Sequence, residues 1–160
     1  MTWYNTVEGS SRAIRGRDGA KYLSPDALKA TVQRLKQANK QVVLVAGAFE
    51  PFTEPLVALL RCARLLGDAL VAVVYEGSPS CEPMAALDEV DYLTVLPEAA
   101  LVPLLQQLQP PYYVLLGDYQ ERDIPAVETV MAYGGFAVVL PKGLVVSSEN
   151  IGNSPLAKRV

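Results

Sequence analysis

Apolar runs of strand length and stretches of helical periodicity alternate along this chain from about residue 24 to residue 140. The run Val42 to Val45 is β-branched and too short for a helix, so it predicts a buried strand. Gly47 breaks the run and a proline-punctuated turn follows, Phe49-Glu50-Pro51-Phe52. Thr53 then caps a helix whose first turn holds Glu54 and Pro55. Leu56, Leu59, Leu60, Ala63 and Leu66 recur at helical spacing until Gly67 stops the helix. Strand, glycine turn and helix make the first half of a βαβ unit. In such units a ligand sits where the loop meets the helix N-terminus, because free backbone N–H groups point at it there.

Around this unit the alternation continues. Ser24-Pro25-Asp26 starts an earlier helix with a single apolar stripe, Leu28, Val32 and Leu35. Ala69 to Tyr75 is nearly all apolar and predicts a second strand, buried on both faces. A loop of Gly, Ser and Pro, Glu76 to Pro83, and a short segment, Met84 to Glu89, lead to a third strand, Val90 to Val95. Glu98 to Gln109 forms a helix with Leu101, Leu104, Leu105 and Leu108 inward, ended by Pro110-Pro111. Tyr112 to Leu116 is the fourth strand, Ile124 to Tyr133 a helix ended by Gly134-Gly135, and Phe136 to Leu140 the fifth strand. The tail from Val145 to Val160 begins one more helical turn. This pattern predicts an α/β domain over residues 21–160 with a parallel sheet and right-handed crossovers. Residues 1–20 are polar and glycine-rich, with Arg12, Arg15 and Arg17 clustered. They read as a flexible arm or as a segment that docks on a partner subunit.

Composition narrows the function classes. Hydrophobic residues make up 51% and charged residues 19%, which suits one globular core and argues against disorder. A net charge of −3 offers no general attraction for nucleic acid or an anionic membrane. No apolar run reaches the roughly 18–20 residues that cross a bilayer. The start, MTWYNTVEGSS, lacks a charged-then-apolar signal layout, so a cytoplasmic protein is expected. Cys62 reads as helix-face core and Cys81 as a loop thiol, too far apart for a metal spacing. The chain has no histidine, which removes the usual general base, and it has no Walker loop, zinc-finger pattern or nucleophile triad.

Gly47-x-Phe49-Glu50-x-x-Thr53-x-x-Leu56, followed by ARLLGD and an apolar strand, resembles the cytidylyltransferase-like superfamily. Within it the chain is similar to the nucleotidyltransferase domain of ADP-heptose synthase, the C-terminal half of the bifunctional heptose enzyme. The resemblance covers about residues 21–155. It implies a Rossmann-like three-layer fold with a five-stranded parallel sheet in the order 3-2-1-4-5. It also implies ATP or CTP with Mg²⁺, a sugar-phosphate ligand and a homodimer. That family reads Gly-x-Phe-Asp-x-x-His-x-Gly-His, with two histidines that stabilise the nucleotide phosphates. Here they fall on Thr53 and Leu56, and the glycine between them on Pro55. The family's Lys-Gly-Gly-Asp-Tyr becomes Leu115-Leu116-Gly117-Asp118-Tyr119, so the lysine is lost. Its Ser-Thr-Thr-x-Ile phosphate segment matches Ser147-Ser148-Glu149-Asn150-Ile151, with a carboxylate replacing one hydroxyl. The interval after the second strand, which carries a basic loop and an arginine-bearing helix in the family, is shorter here.

Each candidate site has a structural explanation beside the functional one. The backbone of Gly47, Ala48, Phe49 and Thr53 has the form of a phosphate cradle. Glu50 and Glu54 oppose that role, because a like-charge pair at roughly 4 Å costs about 1 kcal/mol even in water. Pro51 and Pro55 remove two N–H donors, and Glu54 suits the helix dipole. Thr53 is the helix cap, since a hydroxyl cannot supply the charge of an imidazolium. Gly117, Asp118 and Tyr119 form a strand-to-helix turn with Tyr119 half-buried, or keep an adenine or ribose contact. Ser147 and Ser148 contact phosphate at a second helix start, or Ser148 merely caps the last helix. Arg61, Arg64 and Lys142 read as solvated surface, and residues 16–19 as a weak anion contact.

Three functions follow. The first is a degenerate nucleotidyltransferase-like protein, catalytically inactive, with weak or lost nucleotide binding and a binding or scaffold role. The second is an active enzyme moving a nucleotidyl group from ATP or CTP to a sugar phosphate. It would use Thr53, Ser147, Ser148 and backbone amides, with Arg12, Arg15 and Arg17 lent by a neighbouring copy. The third is a repurposed apolar pocket, lined by Phe49, Phe52 and Leu56, for a ligand that is not a nucleotide.

Overall fold

The computed structural model describes residues 21–50, 52–117 and 119–141. The expectations for the N-terminal arm and for the tail after Pro141 lie outside the described residues. The strands are β1 (Lys21–Tyr22), β2 (Val42–Gly47), β3 (Ala69–Tyr75), β4 (Tyr92–Leu96), β5 (Tyr112–Leu116) and β6 (Phe136–Leu140). The helices are α1 (Pro25–Gln37), α2 (Glu54–Arg64), α3 (Cys81–Ala85), α4 (Leu101–Leu108) and α5 (Ile124–Ala132). All strand pairs are parallel, and the sheet runs β1-β4-β3-β2-β5-β6. The five predicted strands therefore stand in the predicted order, in a Rossmann-like sheet. The sixth, β1, joins the edge through Lys21 opposite Tyr92 and Tyr22 opposite Leu93. Two residues are too few for a period-2 pattern to register in sequence.

The central strands are apolar on both sides because both sides are covered. One face of the sheet packs Leu44, Val71 and Val73 against Leu28 and Val32 of α1, Leu104 and Leu105 of α4, and Val127 and Val130 of α5. The other packs Val43, Val45, Leu70 and Ala72 against Leu59, Leu60 and Ala63 of α2 and Met84 of α3. The start of α1 follows its sequence signal: Ser24 Oγ accepts the N–H of Ala27 at 3.2 Å, with Pro25 in the first turn.

Three boundaries differ from expectation. β4 starts at Tyr92 rather than Val90, because Asp91 turns its carboxylate to the N–H of Leu70 (2.8 Å) and to Arg64 (2.9 Å). The predicted helix over 98–109 divides into a 3-10 turn, Glu98–Ala100, and α4. Gln109 ends α4 in the left-handed conformation (φ 49°), its N–H donating to the Leu105 carbonyl as in a left-handed helix cap. Helix α3 begins at Cys81, so that thiol stands on a helix rather than in a loop. Both cysteines are free thiols, and burial pushes Cys62 up and Cys81 up to about 12, so neither is a thiolate at neutral pH.

At the amino-terminal end of the sheet the return from α2 into β3 is tightly built. A side chain at Gly67 would meet the carbonyl oxygen of Gln41 at 2.6 Å and Val43 at 2.9 Å. Asp68 and Gln41 exchange two hydrogen bonds, each of 2.7 Å. Arg64 donates to the Gly67 carbonyl (3.0 Å) while pairing with Asp91, and Arg61 pairs with Glu89 (3.0 Å). Arg61 remains on the solvated surface, as expected, while Arg64 is half-buried and joins α2 to the start of β4.

Candidate functional site

The strand order reverses between β2 and β5, which are hydrogen-bonded neighbours with Val45 opposite Val114. In an open parallel sheet the loops at the carboxyl ends of such a pair diverge and leave a crevice, the usual ligand position. The structure brings Gly47, Ala48, Phe49 and Thr53 to this edge on one loop, and Gly117 on the other. Gly117 has φ 107° and donates its N–H to Leu140 at 2.8 Å, which fits the expected turn. Tyr119 is exposed (43%) rather than half-buried. Asp118, Ser147 and Ser148 lie outside the described residues.

The α2 side of the crevice is closed on itself. Thr53 Oγ1 accepts the N–H of Leu56 at 3.4 Å and the Thr53 carbonyl accepts that of Val57 at 3.1 Å, while Pro55 has no N–H. The cap thus takes the Leu56 N–H, one of the donors that an anion at this helix start would need. Leu56, at the second histidine position, packs with Phe52 against the core under α2, where Phe49 is also buried. These three side chains help hold the loop against the core.

Phe49 has φ 57°, a conformation that a bulky side chain holds only when its surroundings impose it. Two serines do so. Ser80 Oγ, itself buried, donates to the Phe49 carbonyl at 2.6 Å. Ser78 Oγ donates to the Ala48 carbonyl at 2.6 Å and lies 3.4 Å from the Glu50 carboxylate. Its single proton goes to the shorter contact. Sequence reading treated residues 76–83 as a plain loop and missed both serines. Nothing in their spacing distinguishes a tether from an ordinary turn.

The other side of the crevice, under α4 and α5, is built differently. Tyr75 ends β3 on that face, and Tyr113 of β5 is buried on the same face. Burial pushes Tyr75 up to about 12, helped by the charges of Glu98 and Asp123 and opposed by Arg122. Burial pushes Tyr113 up as well, followed by Tyr75, Asp123 and Glu98. Asp123 also accepts the N–H of Gln120 at 2.8 Å, which fixes its carboxylate in the turn before α5. Sequence reading missed this group too. Its one signal was a tyrosine closing an otherwise aliphatic strand, ALVAVVY.

Among the described residues no group of three or more Cys, Asp or Glu side chains is placed to hold a metal ion. Likewise none of the helices described is long and apolar enough to cross a membrane.

The sheet order and the glycine loop at its reversal define a Rossmann-like α/β domain. No family model matches the chain. It is, however, a homologue of one part of the bifunctional proteins HldE. It is 33% identical to that of Streptomyces coelicolor over 149 residues, covering 83% of this chain and 31% of the relative. For Cronobacter sakazakii the values are 31% over 146 residues, 80% and 31%, and for Pseudomonas fluorescens 30% over 156 residues, 86% and 32%. The chain thus spans about a third of the length of the curated relatives it matches. Among solved structures, a lipopolysaccharide core biosynthesis protein from Thermoplasma volcanium superposes with a TM-score of 0.53 at 16% identity, over 67% of this chain and 99% of that one. At that identity the likeness speaks for the fold alone.

Proposed function

We propose that this chain is a degenerate nucleotidyltransferase-like domain that binds rather than catalyses, with weak or lost nucleotide affinity and a scaffold role. The observation that carries this is the closed α2 loop. Thr53, at the first histidine position, serves as a helix cap, and Leu56, at the second, lies against the core. Nucleotidyl transfer requires positioned cations around the phosphates as charge moves, and no side chain of this loop is cationic. Glu50 and Glu54 add negative charge at the same place. A homodimer is part of the same proposal, since a self-association surface is independent of the lost site.

Calorimetric titration with ATP and CTP, with and without Mg²⁺ at low salt, tests this reading. The expected result is no heat, or millimolar affinity, from a protein that melts cooperatively. Micromolar binding together with turnover of a sugar phosphate would overturn it in favour of an active enzyme with a non-standard site. Removing residues 1–20 would then show whether a neighbour's arginines supply the missing charge.

A further inference from the structure

We infer that the cavity at the amino-terminal end of the sheet, where α1, α4 and α5 finish, is a binding site for a small dianion recognised by Lys36 and Lys40. This goes beyond the reading above: the cavity lies at the opposite end of the sheet from the crevice, and its ligand need not be a nucleotide.

The cavity has a volume of about 350 Å³, within the range of small-molecule sites. Lys36, Asn39, Lys40 and Gln41, from the end of α1 and the turn into β2, form one wall, and Gln109 and Tyr133, after α4 and α5, form the other. Three helices on one face of the sheet thus finish on one hollow. Each turns away through a left-handed residue that lines it: Asn39 (φ 63°), Gln109 (φ 49°) and Gly134 (φ 91°). The walls are held from behind. Gln41 is fixed by its two hydrogen bonds with Asp68, and the Tyr133 hydroxyl donates to the Pro110 carbonyl at 2.6 Å. The last helical carbonyls are occupied as well. Those of Arg34, Leu35 and Lys36 accept the N–H groups of Ala38, Lys40 and Asn39, and those of Val130 and Met131 accept the N–H groups of Gly135 and Gly134. An anion here would therefore not meet the row of open carbonyls that makes a helix end repel it.

What these bonds leave over is positive charge. No carboxylate among the described residues lines the cavity, and Asp68 is turned onto the Gln41 N–H. The ammonium groups of Lys36 and Lys40 enter no ion pair or hydrogen bond among the described residues, whereas Lys29, Arg61 and Arg64 each have an acidic partner. A lysine in the last turn also offsets the helix dipole, which is a structural reason for Lys36. That reason does not extend to Lys40, which stands beyond the helix. Burial holds the Lys36 ammonium below the usual lysine range, as it does for a partly desolvated charge with no partner. In a chain of net charge −3, two unpaired cations on one cavity make a local exception. The side-chain amides of Asn39, Gln41 and Gln109 can donate to the anion oxygens that the ammonium groups leave free. Both lysines are exposed, so salt screens the attraction and millimolar affinity is expected at low salt.

The test uses the full chain and three probes: inorganic phosphate, succinate, and succinamide as the uncharged counterpart of succinate. Calorimetry and backbone NMR at low salt are expected to show at least about a tenfold preference for the dianions over succinamide. The shifted resonances should centre on residues 36–41, 109 and 133–135. The tighter of phosphate and succinate tells whether a phosphoryl group or a dicarboxylate is the natural match. Lys36→Met and Lys40→Met should each weaken the dianion about threefold or more. Lys29→Met removes the same charge from the same helix and should leave the affinity unchanged, and thermal melting checks that all three variants fold. Succinamide binding as well as succinate would overturn the proposal. So would silence of both dianions, or Lys29→Met weakening them as much as the other two variants. The two proposals fail separately. Nucleotide heat that survives Lys36→Met and Lys40→Met arises at the crevice and counts against the degenerate reading alone.

Discussion

The two ends of the sheet are built on different terms. At the amino-terminal end polar groups satisfy one another: Asp68 with Gln41, Arg64 with Asp91 and the Gly67 carbonyl, and the Tyr133 hydroxyl with the Pro110 carbonyl at 2.6 Å. At the carboxyl-terminal end Phe49 sits in a strained conformation, and Thr94 Oγ1 is buried with no hydrogen-bond partner among the described residues. The first kind of end adds stability and the second gives some of it up. Within the second end the contrast repeats. The α2 loop is tied to the loop after β3 by Ser78 and Ser80, whereas the turn before α5 is held within itself by Asp123.

Substitutions can break this contrast. The largest effect is expected at the amino-terminal end. Gly67→Ala drives a methyl group against the Gln41 carbonyl and should cost about 3 kcal/mol in urea denaturation. Next is Ser80→Ala, which leaves the Phe49 carbonyl without its donor. A loss of about 2 kcal/mol is expected, with faster hydrogen exchange confined to residues 48–53. If exchange rises uniformly instead, the serine supports the whole fold and not the loop.

The smallest effect sharpens the contrast through pH. A tyrosine in the unfolded chain titrates near 10, whereas Tyr75 in the fold titrates at about 12 and Tyr113 is also raised. The folded state therefore holds these protons more tightly. Its stability is fully present below pH 10 and falls as the pH rises toward 12. Urea midpoints measured from pH 8 to 11 should decline at the upper end, and less steeply in Tyr113→Phe. An unchanged slope would place the alkaline loss elsewhere.

Much of the fold was legible in the sequence because its signals are local. Ser24 and Thr53 cap the helices they were expected to cap, and the all-apolar stretch Ala69 to Tyr75 is buried along nearly its whole length. The sheet order came from resemblance, since alternation alone allows several. The site was legible only in part. Gly47 and Gly117 marked the loops at the order reversal. The Ser80-to-Phe49 tether joins residues far apart in sequence, and the tyrosine group gathers four elements. Neither leaves a spacing to read. Arg64 read as surface because its partner, Asp91, also lies far along the chain.

The central position of β2 carries a consequence for how the molecule assembles. Val43 pairs with Leu70 on one side and with Tyr112 on the other, so the second closure spans more than twice as much chain as the first. The added loop entropy is only about 0.8 kcal/mol. Even so, long-range pairings form late when nearer ones are available. The β2–α2–β3 unit, with its serine tethers, is then expected to exist before β5 docks. The two walls of the crevice would be made at different times, the one under α2 first and the one carried by β5 last.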